Sequence, residues 1–150
     1  MHNEREIRLL IADDDQDDFE LFQEALEELV LPASVQHCRD GVELMGVLKL
    51  SRPTELPDII FLDLNMPQKT GYECIREIKG DTSLKDIPVV IFSTSFQPEI
   101  VQQLCQYGAD RYLVKPNSFK DLVKAIRRVF SLAAETKLHC NSVDDFVLQP

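Results

Sequence analysis

Five short runs rich in β-branched and apolar residues recur along the chain, each followed by a stretch whose apolar residues fall at helical spacing. This alternation restricts the fold more than any other feature, because it is the pattern of an α/β domain built on a parallel sheet. The strand candidates are Ile7 to Ala12, Val35 to Cys38, Ile59 to Leu62, Val89 to Phe92 and Arg111 to Val114. Leu9 to Ala12 and the whole of the third and fourth runs are unbroken by polar residues, as strands covered on both faces require. Gln36 and His37 instead give the second run the look of an edge.

Between the runs, Phe19, Phe22, Leu26 and Leu29 form one helical stripe, and Phe119, Leu122, Val123, Ile126 and Phe130 form the last. Shorter segments from Val42 to Leu48, Tyr72 to Ile78 and Ile100 to Cys105 fit the same period. The loops SRPTELP and GDTSLKDIP are long and punctuated by proline. At 150 residues the chain suits one domain, able to bury roughly two thirds of its unfolded surface. We expect that domain over residues 1–132, then a tail over 133–150 that carries no output domain and docks through Phe146 and Val147.

A formal net charge of -10 leaves no basic patch to release counterions from phosphates, which argues against nucleic acid as partner. No apolar run approaches the roughly 20 residues needed to cross a bilayer, and the opening MHNEREIR is polar, so a cytoplasmic protein without a signal peptide is expected. Cys38, Cys74, Cys105 and Cys140 are scattered without CxxC spacing and are read as reduced structural thiols. His2, His37 and His139 are isolated and make no ligand pair.

In open α/β sheets, ligands collect at the carboxyl ends of strands where neighbouring connections diverge. There the sequence places Asp13 and Asp14 after the first strand, Asp63 after the third, Ser93 and Thr94 after the fourth, and Lys115 after the fifth. Two carboxylates about 4 Å apart repel by about 4 kcal/mol at an effective dielectric near 20, so such a cluster calls for a cation. Magnesium (Mg2+) suits it, since it accepts few carboxylates, keeps waters and tolerates a phosphoryl oxygen.

The stretch ADDDQDDFELF holds five aspartates, and a helix start accounts for three of them. Asp15 fits an N-cap, Asp18 three positions on completes a variant capping box, and Asp17 falls in the first turn, facing the positive end of the helix dipole. Asp13 and Asp14 lie on the strand side, where capping explains nothing.

Four motifs, LLIADDD, DIIFLDLNMPQKTGYE, PVVIFSTS and GADRYLVKP, make residues 5–132 similar to the receiver domains of two-component response regulators, the CheY-like family. Asp63 precedes Ser93 by 30 residues and Lys115 by 52, as in the chemotaxis response regulator. The loops around Pro53 and Leu84 look more like the single-domain regulators partnered with bacterial phytochromes. The resemblance implies a flavodoxin-like (βα)5 sandwich whose five-stranded parallel sheet runs in the order 2-1-3-4-5.

It further implies that Asp63 is a phosphoacceptor, taking a phosphoryl group from a sensor histidine kinase to form an acyl phosphate. Asp13 and Asp14 would hold Mg2+ together with the Asp63 carboxylate and the backbone carbonyl of Asn65. Lys115 and Ser93 would contact the phosphoryl group, with Thr94 narrowing access. Tyr112 would turn inward as Ser93 moves, so Ser93 and Tyr112 form the switch. Asn65 and Ser95 would flank the attacking water, and the Lys115 to Pro116 bond would be cis.

The function so implied is a stand-alone phosphorylation-dependent switch, not an enzyme beyond its own phosphorylation and dephosphorylation. It would bind a downstream protein through the surface from Pro98 to Phe130, with a homodimer as a further partner. Two alternatives stand beside it. One is a phosphorelay intermediate that passes the group to a histidine phosphotransfer protein. The other is an aspartyl-nucleophile phosphatase of the haloacid dehalogenase type, which Asn65 at the plus-two position disfavours, because that class carries a second acid there.

Overall fold

Strand β1 (Ile7–Ala12) runs parallel between β2 (Ala33–Cys38) and β3 (Ile59–Leu62), and β4 (Val89–Ser93), β5 (Arg111–Val114) and β6 (Val147–Leu148) follow outward. The computed structural model describes residues 6–140 and 142–148, and His2 and the chain ends lie outside them. The sheet order is therefore 2-1-3-4-5-6, the flavodoxin-like order with one added strand. β2 begins at Ala33 rather than Val35, because Ile7 and Arg8 pair with Ala33 and Ser34 and extend the ladder.

Helices cover both faces. α1 (Gln16–Leu29) and α5 (Phe119–Ala134) bury Phe22, Ala25, Leu122, Ile126 and Val129 against Leu9, Ile11, Phe61 and Phe92. On the other face α2 (Gly41–Leu50), α3 (Gly71–Lys79) and α4 (Pro98–Gln106) bury Leu44, Leu48, Ile75, Ile78 and Leu104 against Leu10, Ile60, Leu62 and Ile91. β1 leads into α1 on one face and β2 into α2 on the other. The chain thus changes faces beside β1, and a crevice opens at its carboxyl end, next to β3.

The helix starts follow their capping residues. Asp15 accepts hydrogen bonds from the backbone N–H groups of Asp17 and Asp18, and Asp40 and Ser118 cap α2 and α5 in the same manner. Thr70 and Glu73 form a reciprocal capping box at α3. α1 ends on Val30, whose φ of 51° is left-handed.

The sixth strand is the difference from the five-stranded expectation. An edge strand leaves a row of unpaired backbone groups, and the tail covers that of β5. A one-turn helix α6 (Val143–Phe146) leads into β6, where Val147 and Leu148 align with Tyr112 and Leu113. Phe146 is wholly buried, whereas Val147 is half-buried. The buried Arg111 fastens the tail. Its Nε and Nη2 donate to the carbonyls of Leu138 and Lys137, both at 2.8 Å, and Nη1 donates to the carbonyl of Asp145. Beside it, Asp110 accepts from Lys79 Nζ at 2.9 Å and from the backbone N–H of Val89 at 2.7 Å, and contacts the His139 ring.

Among the described residues no helix is long and apolar enough to cross a membrane. Cys38 and Cys74 are buried in the core, and Cys105 and Cys140 are half-buried at its margin. The described chain contains no cis peptide bond, so the Lys115 to Pro116 bond is trans, contrary to the expectation the resemblance carried.

Candidate functional site

Four adjacent strands, β1, β3, β4 and β5, deliver the site. Asp13 follows Ala12 at the end of β1, and its backbone N–H donates to the carbonyl of Cys38 on β2. Asp63 follows β3 and donates its backbone N–H to the carbonyl of Ala12. These ladder bonds continue the sheet one residue beyond each strand, so the two carboxylates emerge at one level. Lys115 arrives in the same way, donating its N–H to the carbonyl of Ser93 at 2.8 Å.

Asp13 is 1% exposed and Asp63 7%, whereas Asp14 lies open to solvent. One carboxylate oxygen from each of the three lies within 4.8 Å of the others. Buried carboxylates at that spacing, with an exposed third, fit a small hard cation that keeps part of its water shell. Asn65 stands two residues beyond Asp63 in the same loop and is exposed.

Burial pushes the Asp63 carboxyl up to about 6, with the Lys115 ammonium opposing the rise and the Asp13 carboxylate adding to it. Its Oδ1 accepts from the N–H of Leu64 at 2.8 Å. At the first residue of α3, Gly71 donates its N–H to the carbonyl of Leu64 and lies so close that an added Cβ would sit 2.3 Å from the Asp63 carbonyl oxygen. A glycine is required for that approach, and it fixes the loop carrying the acid.

Lys115 Nζ donates to Asp13 Oδ2 at 2.7 Å, to Asp18 Oδ2 at 2.8 Å and, at the longer distance of 3.5 Å, to Asp63 Oδ2. Burial disfavours its charge, but the Asp13 and Asp18 carboxylates more than offset that, and its pKa stands above the ordinary lysine value. Its side chain also passes the ring of Phe92, with Nζ 5.6 Å from the centroid.

Ser93 is fully buried at the end of β4, its hydroxyl 3.1 Å from that of Ser95, while Thr94 is exposed. Tyr112 is turned fully inward and donates its hydroxyl to the carbonyl of Ser95. Burial is the main cause holding its pKa above the ordinary tyrosine value.

The structure thus brings Asp13, Asp14, Asp63, Ser93 and Lys115 to one sheet edge, with Tyr112 linked to it through Ser95. It corrects the reading of Asp18. That residue is capped by Asp15 rather than capping anything itself, and its carboxylate belongs to the site through Lys115. Helical period carried the signal, since Asp18 stands four residues before the buried Phe22 and seven before the buried Ala25, on the inward face of α1. His37 too is engaged. It stacks on Phe19 with centroids 4.2 Å apart, and its Nε2 lies 2.7 Å from the backbone carbonyl of Asp13.

Residues 9–127 match the model of the response regulator receiver domain. The chain belongs to that family. It is a receiver-domain protein of the two-component type, similar to phytochrome response regulators. Response regulator Rcp1 of Synechocystis sp. is 34% identical over 131 residues, spanning 85% of this chain and 89% of that protein. The receiver fold of the phosphorylated cyanobacterial phytochrome response regulator RcpA superposes with a TM-score of 0.78 at 32% identity, covering 88% of this chain and 96% of that one. The Mn2+-bound form of Rcp1 gives 0.76 at 34% identity, covering 87% and 96%. The chemotaxis response regulator CheY4 of Vibrio cholerae gives 0.70 at 27% identity, covering 83% of this chain and 99% of that one.

Proposed function

We propose that this protein is a phosphorylation-dependent signalling switch in which Asp63 accepts a phosphoryl group from a histidine of a sensor kinase. The observation that carries the reading is the cluster of Asp13, Asp14 and Asp63 with Lys115 reaching into it. Two relatives add support, since one was solved phosphorylated and another with Mn2+ bound.

Asp13, Asp14 and Asp63, with the Asn65 backbone carbonyl, are the groups that would hold Mg2+. When bound, the ion offsets negative charge on the phosphoryl group and on its acceptor. Asp63 is the nucleophile. One of its oxygens forms a bond to phosphorus as the phosphorus to nitrogen bond of the phosphohistidine breaks, and the imidazole leaves with that electron pair. At neutral pH most Asp63 is ionised despite the upward shift, so the nucleophile is ready without a base. Lys115 supplies a fixed positive charge to a phosphoryl oxygen, and Ser93 supplies a hydroxyl donor.

Movement of Ser93 toward the phosphoryl group alters its contact with Ser95, whose carbonyl holds Tyr112. This route links the site to the surface from Pro98 to Phe130, which the tail extends by laying α6 and β6 beside α4 and β5. Phe96, 51% exposed and edge-on to Tyr112, gives that surface an apolar anchor for a downstream protein. Phosphorylation shifts an existing equilibrium of this surface rather than creating a new one.

The test is incubation with acetyl phosphate and Mg2+ followed by mass measurement. The wild type should gain one phosphoryl group and Asp63→Asn none. Incorporation at the same site in Asp63→Asn would overturn the reading.

A further inference from the structure

We infer that Asp18 positions Lys115, holding its ammonium between the first turn of α1 and Asp63, so that Lys115 meets a phosphoryl group without occupying the cation site. The inference rests on the proposed phosphoacceptor role of Asp63 and adds a residue to it.

Three carboxylates compete for one ammonium. Asp13 and Asp18 bind it at 2.7 and 2.8 Å, and Asp63 stands off at 3.5 Å. Asp13 has other commitments. Its Oδ1 accepts the backbone N–H of Asp15 at 3.0 Å, and its carboxylate is one of the three that gather within 4.8 Å. A cation taken up by that trio would draw on the same Asp13 carboxylate that Lys115 contacts. Asp18 lies outside the trio, so its hold on Lys115 survives that change.

Without Asp18, the ammonium has only Asp13 and Asp63 left among these acids. A lysine carries three donors on a flexible stem, and it would settle onto those two oxygens and compete with the cation. Charge alone does not account for the arrangement. Asp17 stands on the same first turn, is exposed, and contributes its backbone N–H to the Asp15 cap while its carboxylate stays outside the ammonium cluster. A pair of variants that remove the same charge one residue apart therefore separates contact from general field.

The experiment compares Asp18→Asn with Asp17→Asn. The first readout is the Lys115 Nζ ammonium resonance of 15N-labelled, metal-free protein at low temperature. It should be protected from exchange in the wild type and in Asp17→Asn, and lost or shifted in Asp18→Asn. The second is initial phosphorylation by acetyl phosphate, which should fall about ten-fold in Asp18→Asn and less than two-fold in Asp17→Asn, the loss of one partly exposed charge-assisted hydrogen bond. The third is a double-mutant cycle, in which Asp18→Asn added to Lys115→Ala should cause no further fall.

Equal effects of the two single variants, an unprotected Lys115 resonance in the wild type, or a further fall on the Lys115→Ala background would each overturn the inference. Its failure is distinct from that of the phosphoacceptor reading. That reading falls only if Asp63→Asn still gains phosphate, whereas the lysine resonance is read without any phosphorylation.

Discussion

The ring of Phe146, in the tail, stands edge-on to that of Tyr112 on β5, with centroids 6.2 Å apart and planes inclined at 61°, and both side chains are fully buried. Tyr112 is thus held between the carbonyl of Ser95 at its hydroxyl and a tail residue at its ring. Aromatic pairs in this arrangement add to the burial of their area. Phe146→Ala should cost about 3 kcal/mol of stability, at the lower end for a buried phenylalanine because a terminal segment relaxes more freely than a central one. Urea denaturation measures the loss, and hydrogen exchange should show residues 137–140 and 142–148 opening first. An unchanged midpoint would mean that the docked tail contributes nothing to the fold.

Val30 closes α1 in the left-handed region at φ 51°, with its side chain 85% exposed. A β-branched residue is strained there by about 1–2 kcal/mol, and glycine is not. The greater freedom of glycine in the unfolded chain takes back about 0.5–1 kcal/mol. Val30→Gly should therefore raise stability by about 0.5–1 kcal/mol, seen as a higher urea midpoint with an unchanged slope. A lower midpoint would show that the valine side chain makes contacts worth more than the strain.

Largely apolar runs made the central strands readable from the residues, because a strand buried on both faces favours apolar side chains and keeps polar ones such as Ser93 and Arg111 only where they find hydrogen-bond partners. Ile59–Leu62 and Arg111–Val114 have the bounds the sequence pattern predicts. β2 extends further because pairing to β1, rather than apolarity, decides where a ladder ends. β6 carries no signal of its own. Two residues are too few for a period, and only Phe146 and the unpaired edge of β5 explain why they pair there. The site divides along the same line. Strand ends located Asp13, Asp63 and Lys115, whereas Asp18 was masked by a capping pattern that described Asp15 correctly. Helical period would have separated the two. The trans Lys115 to Pro116 bond marks a further boundary, since the cis expectation came from resemblance and not from any residue of this chain.

Cys38 and Cys74 lie wholly inside the core, and burial pushes their thiols up to about 12 and about 11. Neighbouring Glu43 and Asp40 reinforce the rise at Cys38, while Lys69 opposes it at Cys74. In the unfolded chain both thiols ionise near pH 8.5. Above that pH the unfolded state therefore binds fewer protons than the folded state, and stability falls as pH rises toward 11 and 12. Below pH 8 the two thiols add no pH dependence. A Cys38→Ala, Cys74→Ala double variant should lose less stability than the wild type between pH 8 and about pH 10.5, whatever tyrosines and lysines contribute to both. Parallel slopes of stability against pH for the two proteins would refute the assignment.

Gly71 touches the site through space rather than charge. A Cβ at this position would lie 2.3 Å from the carbonyl oxygen of Asp63 and 2.8 Å from Leu64 Cα, and backbone atoms cannot swing aside as the end of a side chain can. Gly71→Ala must move the loop that sets Asp63 against Asp13 and Lys115. A displacement of about 1 Å at a reacting group costs on the order of 100-fold in rate, and overpacking costs about 1–3 kcal/mol in stability. Phosphate incorporation from acetyl phosphate should drop by that order, with a lower urea midpoint. Gly46 provides the contrast, because a Cβ there meets nothing within 4 Å in the middle of α2. Gly46→Ala should gain about 0.5–1 kcal/mol from helix propensity and keep its full phosphorylation rate. Wild-type labelling in Gly71→Ala would show that the loop tolerates the methyl group and that the close approach does not set the position of Asp63.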